Sequence, residues 1–99
     1  MKKHTRIRDK ALLKSYWFKR CCIPGCHAGA TPSHIKTRGS GGADAEYNLT
    51  ALCLAHHTEW GQSWIKFCQK YPDYTVLLEQ KGWELDFENA KMFHAELLR

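Results

Sequence analysis

Pro32-Ser33-His34-Ile35-Lys36, then Asn48-Leu49, then Leu52-Cys53-Leu54-Ala55-His56-His57 is the stretch on which the fold turns. Thr31 to Thr37 reads as a short strand. Gly39-Ser40-Gly41-Gly42-Ala43-Asp44 reads as a flexible loop, because glycine, serine and aspartate favour turn conformations. Asn48 to Cys53 alternates enough to be the returning strand of a loop-bridged hairpin. From Leu54 the pattern predicts a helix interrupted near Gly61. The unit is therefore strand–loop–strand–helix, with histidines on its first strand and its helix and an asparagine at the return.

Outward from this unit the pattern is mixed. Asp9 to Phe18 carries Ala11, Leu12, Leu13, Tyr16 and Trp17 between basic residues, which predicts an amphipathic helix with Asp9 near its start. Pro24-Gly25 breaks the chain with a turn. Trp64, Phe67, Cys68 and Tyr71 recur at helical spacing, and Trp60 can join them; this aromatic stripe predicts core, ended by Pro72. Thr75 to Lys81 predicts a short helix closed by Gly82. Trp83 to Phe87 alternates as a strand, and Glu88 to Arg99 fits a strand or a helix equally. No repeat, low-complexity tract or internal boundary interrupts the 99 residues, so a single α+β domain over 1–99 is expected. A chain this short buries only about two-thirds of its unfolded surface, so a structural metal would help it.

The net charge is +5, and Lys2, Lys3, Arg6, Arg8, Lys10, Lys14, Lys19 and Arg20 load the first twenty residues. Such a surface concentrates polyanions, nucleic acid above all; a solvated basic tail is the plainer alternative. No apolar run reaches the roughly 18–20 residues of a membrane span, and the basic N-terminus lacks the apolar core of a signal peptide. A cytoplasmic protein without membrane contact is expected, and its five cysteines then read as reduced metal ligands.

Cys21 and Cys26 flank the Pro-Gly turn as a knuckle that presents two thiolates to one point, with Cys22 as an alternative to Cys21. Cys53 and His56 form a second knuckle at a strand-to-helix transition. Three sulfurs and one nitrogen make a closed tetrahedral set suited to structural zinc. Cys68 belongs to the apolar stripe, His27 directly follows the knuckle and could substitute as a ligand, and His4 and His94 carry no motif.

Ser33-His34-Ile35-Lys36-Thr37-Arg38-Gly39-Ser40-Gly41-Gly42, Asn48-Leu49 and Leu52-Cys53-Leu54-Ala55-His56-His57 resemble the HNH endonucleases, the ββα-metal nucleases, especially their small phage and prophage members. The similarity covers about residues 21–72. It implies a ββα-metal core, DNA as substrate, and hydrolysis of phosphodiester bonds with a catalytic divalent ion such as Mg or Mn. The chemistry agrees. A neutral His34 can take a proton from water. Asn48, across the hairpin, can hold that imidazole. His57 can ligate the divalent ion, and Lys36 and Arg38 can contact phosphates. Successive helical side chains diverge by about 100°, so His56 can face the zinc knuckle while His57 faces the hairpin.

Two positions depart from the family. Ser33 stands where many members carry a metal-ligating aspartate or histidine, and Gly61 where related sequences often carry another histidine. Asp44, Glu46 and Glu59 are then candidates to complete the catalytic ion's shell, each otherwise expected to be solvated. A lone site would nick one strand and a dimer would cut both; the oligomeric state is left open. The competing readings are a non-catalytic zinc module that binds nucleic acid, and a protein-interaction domain in which zinc is only structural.

Overall fold

The computed structural model describes residues 8–37 and 42–98. Strand β1 (Thr31–His34) pairs antiparallel with β2 (Leu49–Leu52), in the register Thr31↔Leu52, Pro32↔Ala51, Ser33↔Thr50 and His34↔Leu49. Side chains alternate across a strand, so this register sorts them onto two faces. Leu49 and Ala51 pack with Ala30 and Tyr16 on one face. Leu52 and Ile35 join the larger core on the other. Both strands are shorter than the pattern predicted, because Ile35 leaves the ladder and Asn48 sits in a 3-10 turn over Glu46–Asn48.

Helix α1 (Lys10–Tyr16) covers the first face. Asp9 caps it by accepting a hydrogen bond from the Leu12 amide at 2.9 Å, and Leu12, Leu13 and Tyr16 point inward. Helix α2 (Leu54–Gln62) follows β2 and runs straight through Gly61. The predicted interruption falls at Ser63 instead, whose extended backbone ends α2 and whose hydroxyl caps α3 (Trp64–Lys70). Pro72 does not merely end α3. It opens α4 (Pro72–Gln80) at a position where its missing N–H costs nothing. Trp60, Phe67, Tyr74 and Leu78 from these helices form the main core with Cys21, Ile23, Leu52 and Cys53. Each large side chain buried there contributes roughly 1.5–3 kcal/mol.

Strand β3 (Trp83–Asp86) pairs antiparallel with β4 (Lys91–His94), and a 3-10 turn over Ala95–Leu98 follows. The ambiguous tail is thus a strand followed by a helical turn. The Trp83 indole donates to the Tyr47 carbonyl at 2.7 Å, which ties this second sheet to the approach of β2. The chain is α+β, with four α-helices and two small antiparallel sheets among the described residues. None of these helices is long and apolar enough to cross a membrane.

Candidate functional site

The Pro-Gly turn and the start of α2 bring four ligands to one point. The side-chain donors of Cys21, Cys26, Cys53 and His56 all lie within 4.8 Å of one another, close enough to hold a metal ion. Cys26 Sγ is 3.9 Å from Cys53 Sγ, and His56 Nδ1 is 3.1 Å from Cys53 Sγ and 3.3 Å from Cys21 Sγ. Tetrahedral zinc with Zn–S of about 2.3 Å and Zn–N of about 2.0 Å sets edges of roughly 3.8 Å between sulfurs and 3.5 Å from sulfur to nitrogen. The donor set and spacing fit that ion, with the imidazole drawn slightly inward.

Local structure explains the convergence. Gly25, at φ +84°, lets the Cys26 amide turn back to the Ile23 carbonyl at 3.0 Å. Cys53 is the N-cap of α2, and His56 follows one turn later. Burial raises the Cys53 thiol, but the His56 and Ala55 amides and the neighbouring thiols outweigh it and bring it below the ordinary value. Burial pushes the Cys21 thiol up. The Phe67 and Tyr71 rings stand edge-on to the His56 imidazole, at 6.2 and 5.2 Å between centroids. Cys22 is exposed and outside the group, so Cys21 is the knuckle's first ligand. Cys68 is buried in the core as expected.

On the far side of α2's first turn lies an open cleft of about 470 Å³ lined by His34, Ile35, Thr37, His57, Trp60 and residues 61–64. His34 and His57, read from sequence as base and metal ligand, both line it, and each has one ring nitrogen committed. His34 Nε2 lies 2.8 Å from Asp44 Oδ1. A carboxylate only accepts, so Nε2 carries the proton and Nδ1 is the basic nitrogen of the neutral ring. Thr31 donates its hydroxyl proton to the Leu52 carbonyl at 2.9 Å, so it accepts from His57 Nδ1 at 3.2 Å. His57 Nε2 therefore keeps its lone pair.

Asp44 is the residue that sequence reasoning undervalued. It is not solvated but 2% exposed. Its Oδ2 accepts from the Asp9 amide at 3.0 Å, and the Arg8 guanidinium stands 3.8 Å from Oδ1. The usable signal was an acid closing a Gly-rich loop ten residues after a strand histidine. Asn48 also differs from expectation. Among the described residues no hydrogen bond joins it to His34. It is fully buried, its Oδ1 accepts from the Lys36 amide at 2.8 Å, and its Nδ2 donates to the Lys36 and Ala43 carbonyls at 3.0 Å each. Asn48 thus clamps the loop that carries Asp44, and Asp44 holds the imidazole.

Ser33 points into the core, fully buried, with no hydrogen-bond partner for its hydroxyl among the described residues. It faces away from His34 and offers the cleft nothing. Glu46 accepts from the Tyr16 hydroxyl at 2.7 Å. Glu59 accepts from Tyr71 at 3.0 Å and pairs with Lys70 at 3.1 Å. Neither joins His57, and among the described residues no second group of three ligands converges. The Lys36 backbone is fixed by Asn48, while Arg38 lies outside the described residues. Comparison with known proteins finds no matching family model, no matching curated protein and no matching solved structure.

Proposed function

We propose that this chain is a metal-dependent DNA endonuclease or nickase of the HNH type, stabilised by zinc on Cys21, Cys26, Cys53 and His56. One observation carries the reading. His34 and His57 line a single cleft, and in each ring one nitrogen is tied down while the other keeps its lone pair. That pairing suits a general base facing a metal ligand.

In this mechanism His34 Nδ1 takes a proton from water as the water oxygen bonds to phosphorus and the bond to the leaving ester oxygen breaks. Asp44 keeps the tautomer and steadies the imidazolium that forms. Lys36 and Arg38 place phosphates. A divalent ion at His57 Nε2 would supply positive charge beside the phosphate. A single histidine would hold such an ion weakly, so water and phosphate would have to supply further oxygens to it.

The test is nicking of supercoiled plasmid by the zinc-loaded protein, with magnesium or manganese, against His34→Ala. Metal-dependent nicking that the variant lacks is expected. Undiminished cutting by His34→Ala would remove the assignment of the base. Absence of nicking by folded wild type would favour a second reading, a non-catalytic zinc module for nucleic acid. The inward-facing Ser33 and the lack of a second converging ligand set among the described residues are the features that favour it.

A further inference from the structure

We propose that the outer face of α1 and the turn that follows it form a platform for unpaired nucleotides, built from Lys10, Lys14, Trp17 and Phe18 and flanked by Lys19 and Arg20. It deepens the nuclease reading by naming the substrate form, DNA with a single-stranded segment beside the cleaved bond, and in that respect rests on it.

Helix α1 is already seated by its inner stripe of Leu12, Leu13 and Tyr16. Trp17 and Phe18 take no part in that packing: they are 60% and 81% exposed. Two adjacent large aromatics left in water on ordered backbone mark a contact surface. The backbone is ordered because the Trp17 and Phe18 amides donate to the Lys14 and Ser15 carbonyls, at 3.1 and 3.3 Å. Residues four apart share a helix face, so Lys10 and Lys14 lead directly to the two rings. Lys19 lies over the Tyr16 ring at 5.2 Å, and Arg20 donates to the His27 carbonyl at 2.9 Å; both remain at the surface. Between Lys10 and Arg20 there is no aspartate or glutamate.

The charge pattern complements a polyanion rather than a protein surface of mixed sign. The rings decide which polyanion. A duplex hides its base faces within the stack, whereas an unpaired strand offers each base to an aromatic side chain and its phosphates to neighbouring cations. Position agrees as well. The Asp9 amide donates to Asp44, the partner of His34, so the platform starts beside the cleft. The helix rises about 1.5 Å per residue, so Trp17 lies about 12 Å further on, three to four base steps at 3.4 Å.

The test is binding, not cleavage. The zinc-loaded full chain is titrated, without added divalent metal, into fluorescein-labelled oligothymidylate of about 15 nucleotides, a length that spans one such site. A hairpin duplex with the same number of phosphates is the control. Trp17→Ala/Phe18→Ala is expected to weaken oligothymidylate binding by roughly tenfold per ring while duplex binding changes little. Its zinc content and melting temperature should match wild type, because neither ring is in the core. Lys10→Gln/Lys14→Gln should weaken both probes and reduce the single-strand salt slope by about 1.4. Oligothymidylate affinity untouched in the aromatic variant overturns the proposal, as does an equal loss on both probes. Self-association lost in that variant with oligothymidylate binding intact assigns the face to a second copy and also overturns it. Ring-dependent binding by a wild type that never nicks supports the platform while the nuclease reading fails; nicking without ring-dependent binding is the reverse.

Discussion

Stripping the metal from Cys21, Cys26, Cys53 and His56 is expected to unfold the chain, not merely loosen one turn. The four candidate ligands come from the turn before β1, the end of β2 and the first turn of α2, so one ion held there would tie three segments together. Cys21 and Cys53 also belong to the main core with Leu52, Trp60 and Phe67. A chain of this length has a net stability of about 5–15 kcal/mol. Binding of structural zinc supplies roughly 10–16 kcal/mol near neutral pH. Removal therefore takes away about as much as the fold has, which is tens of degrees in melting temperature for a domain this size.

Circular-dichroism melts with and without EDTA, with zinc counted by atomic absorption, measure this. One zinc per chain is expected, lost in Cys21→Ser, Cys26→Ser, Cys53→Ser and His56→Ala but kept in Cys22→Ser and Cys68→Ser. Acid should mimic EDTA, since each thiolate that leaves the metal takes up a proton and affinity falls as pH falls. Burial already pushes the Cys21 thiol up, so that ligand gains its proton readily. An unchanged melt for zinc-free protein would refute the reasoning. Zinc lost in Cys22→Ser but kept in Cys21→Ser would refute the ligand choice.

Other expectations follow from single contacts. Asp44→Asn cannot accept from both His34 Nε2–H and the Asp9 amide without losing one bond or reversing the tautomer, so nicking should fall by 10³-fold or more, on the order seen for mis-set Asp–His pairs; activity within tenfold of wild type would refute it. Asn48→Ala strands the Lys36 amide and the Lys36 and Ala43 carbonyls, so urea titration should show a loss of about 2–4 kcal/mol. Ser33→Ala removes a buried hydroxyl that has no partner among the described residues, so stability should hold or rise and nicking should not change. A nicking loss in Ser33→Ala at full stability would reinstate Ser33 as a ligand.

Signals carried within a few residues were legible. Asp9 announced α1 because a cap acts on the next turn, and Cys53 with His56 announced the metal knuckle because both sit within four residues of a helix start. Gly61 misled because its backbone needs no unusual φ and its position is open, so a helix passes through it; the extended Ser63 makes the break. Pro72 marked the end of α3 correctly but not the start of α4, because a proline that bars a helix interior suits a first turn. The site was legible as to residues and not as to partners. Asn48 and Asp44 were both in view, but which of them meets His34 depends on closure of the Gly-rich loop and on the start of α1, contacts 10 and 35 residues apart in the chain. Gly42 shows how tight that closure is: a Cβ there would overlap the Lys36 carbonyl oxygen and press on Asn48 Nδ2 at 2.8 Å.

The adjacency of His56 and His57 makes the metal centre more than a staple. Cys53 and His56 pin the first turn of α2, and His57, about 100° further round, meets a Thr31 hydroxyl already anchored to Leu52 across the hairpin. The direction of His57 Nε2 is thus set by the same turn that a zinc ion on Cys53 and His56 would fix. On the proposed nuclease reading, EDTA should stop nicking by two routes, removal of a divalent ion at the cleft and collapse of the turn that aims its ligand. His57→Ala separates them. It leaves Cys21, Cys26, Cys53 and His56 in place, so zinc content and melting temperature should stay near wild type while divalent-dependent nicking disappears. If His57→Ala also sheds zinc, the two histidines are not independent in role, and assigning the cleft ion to His57 fails.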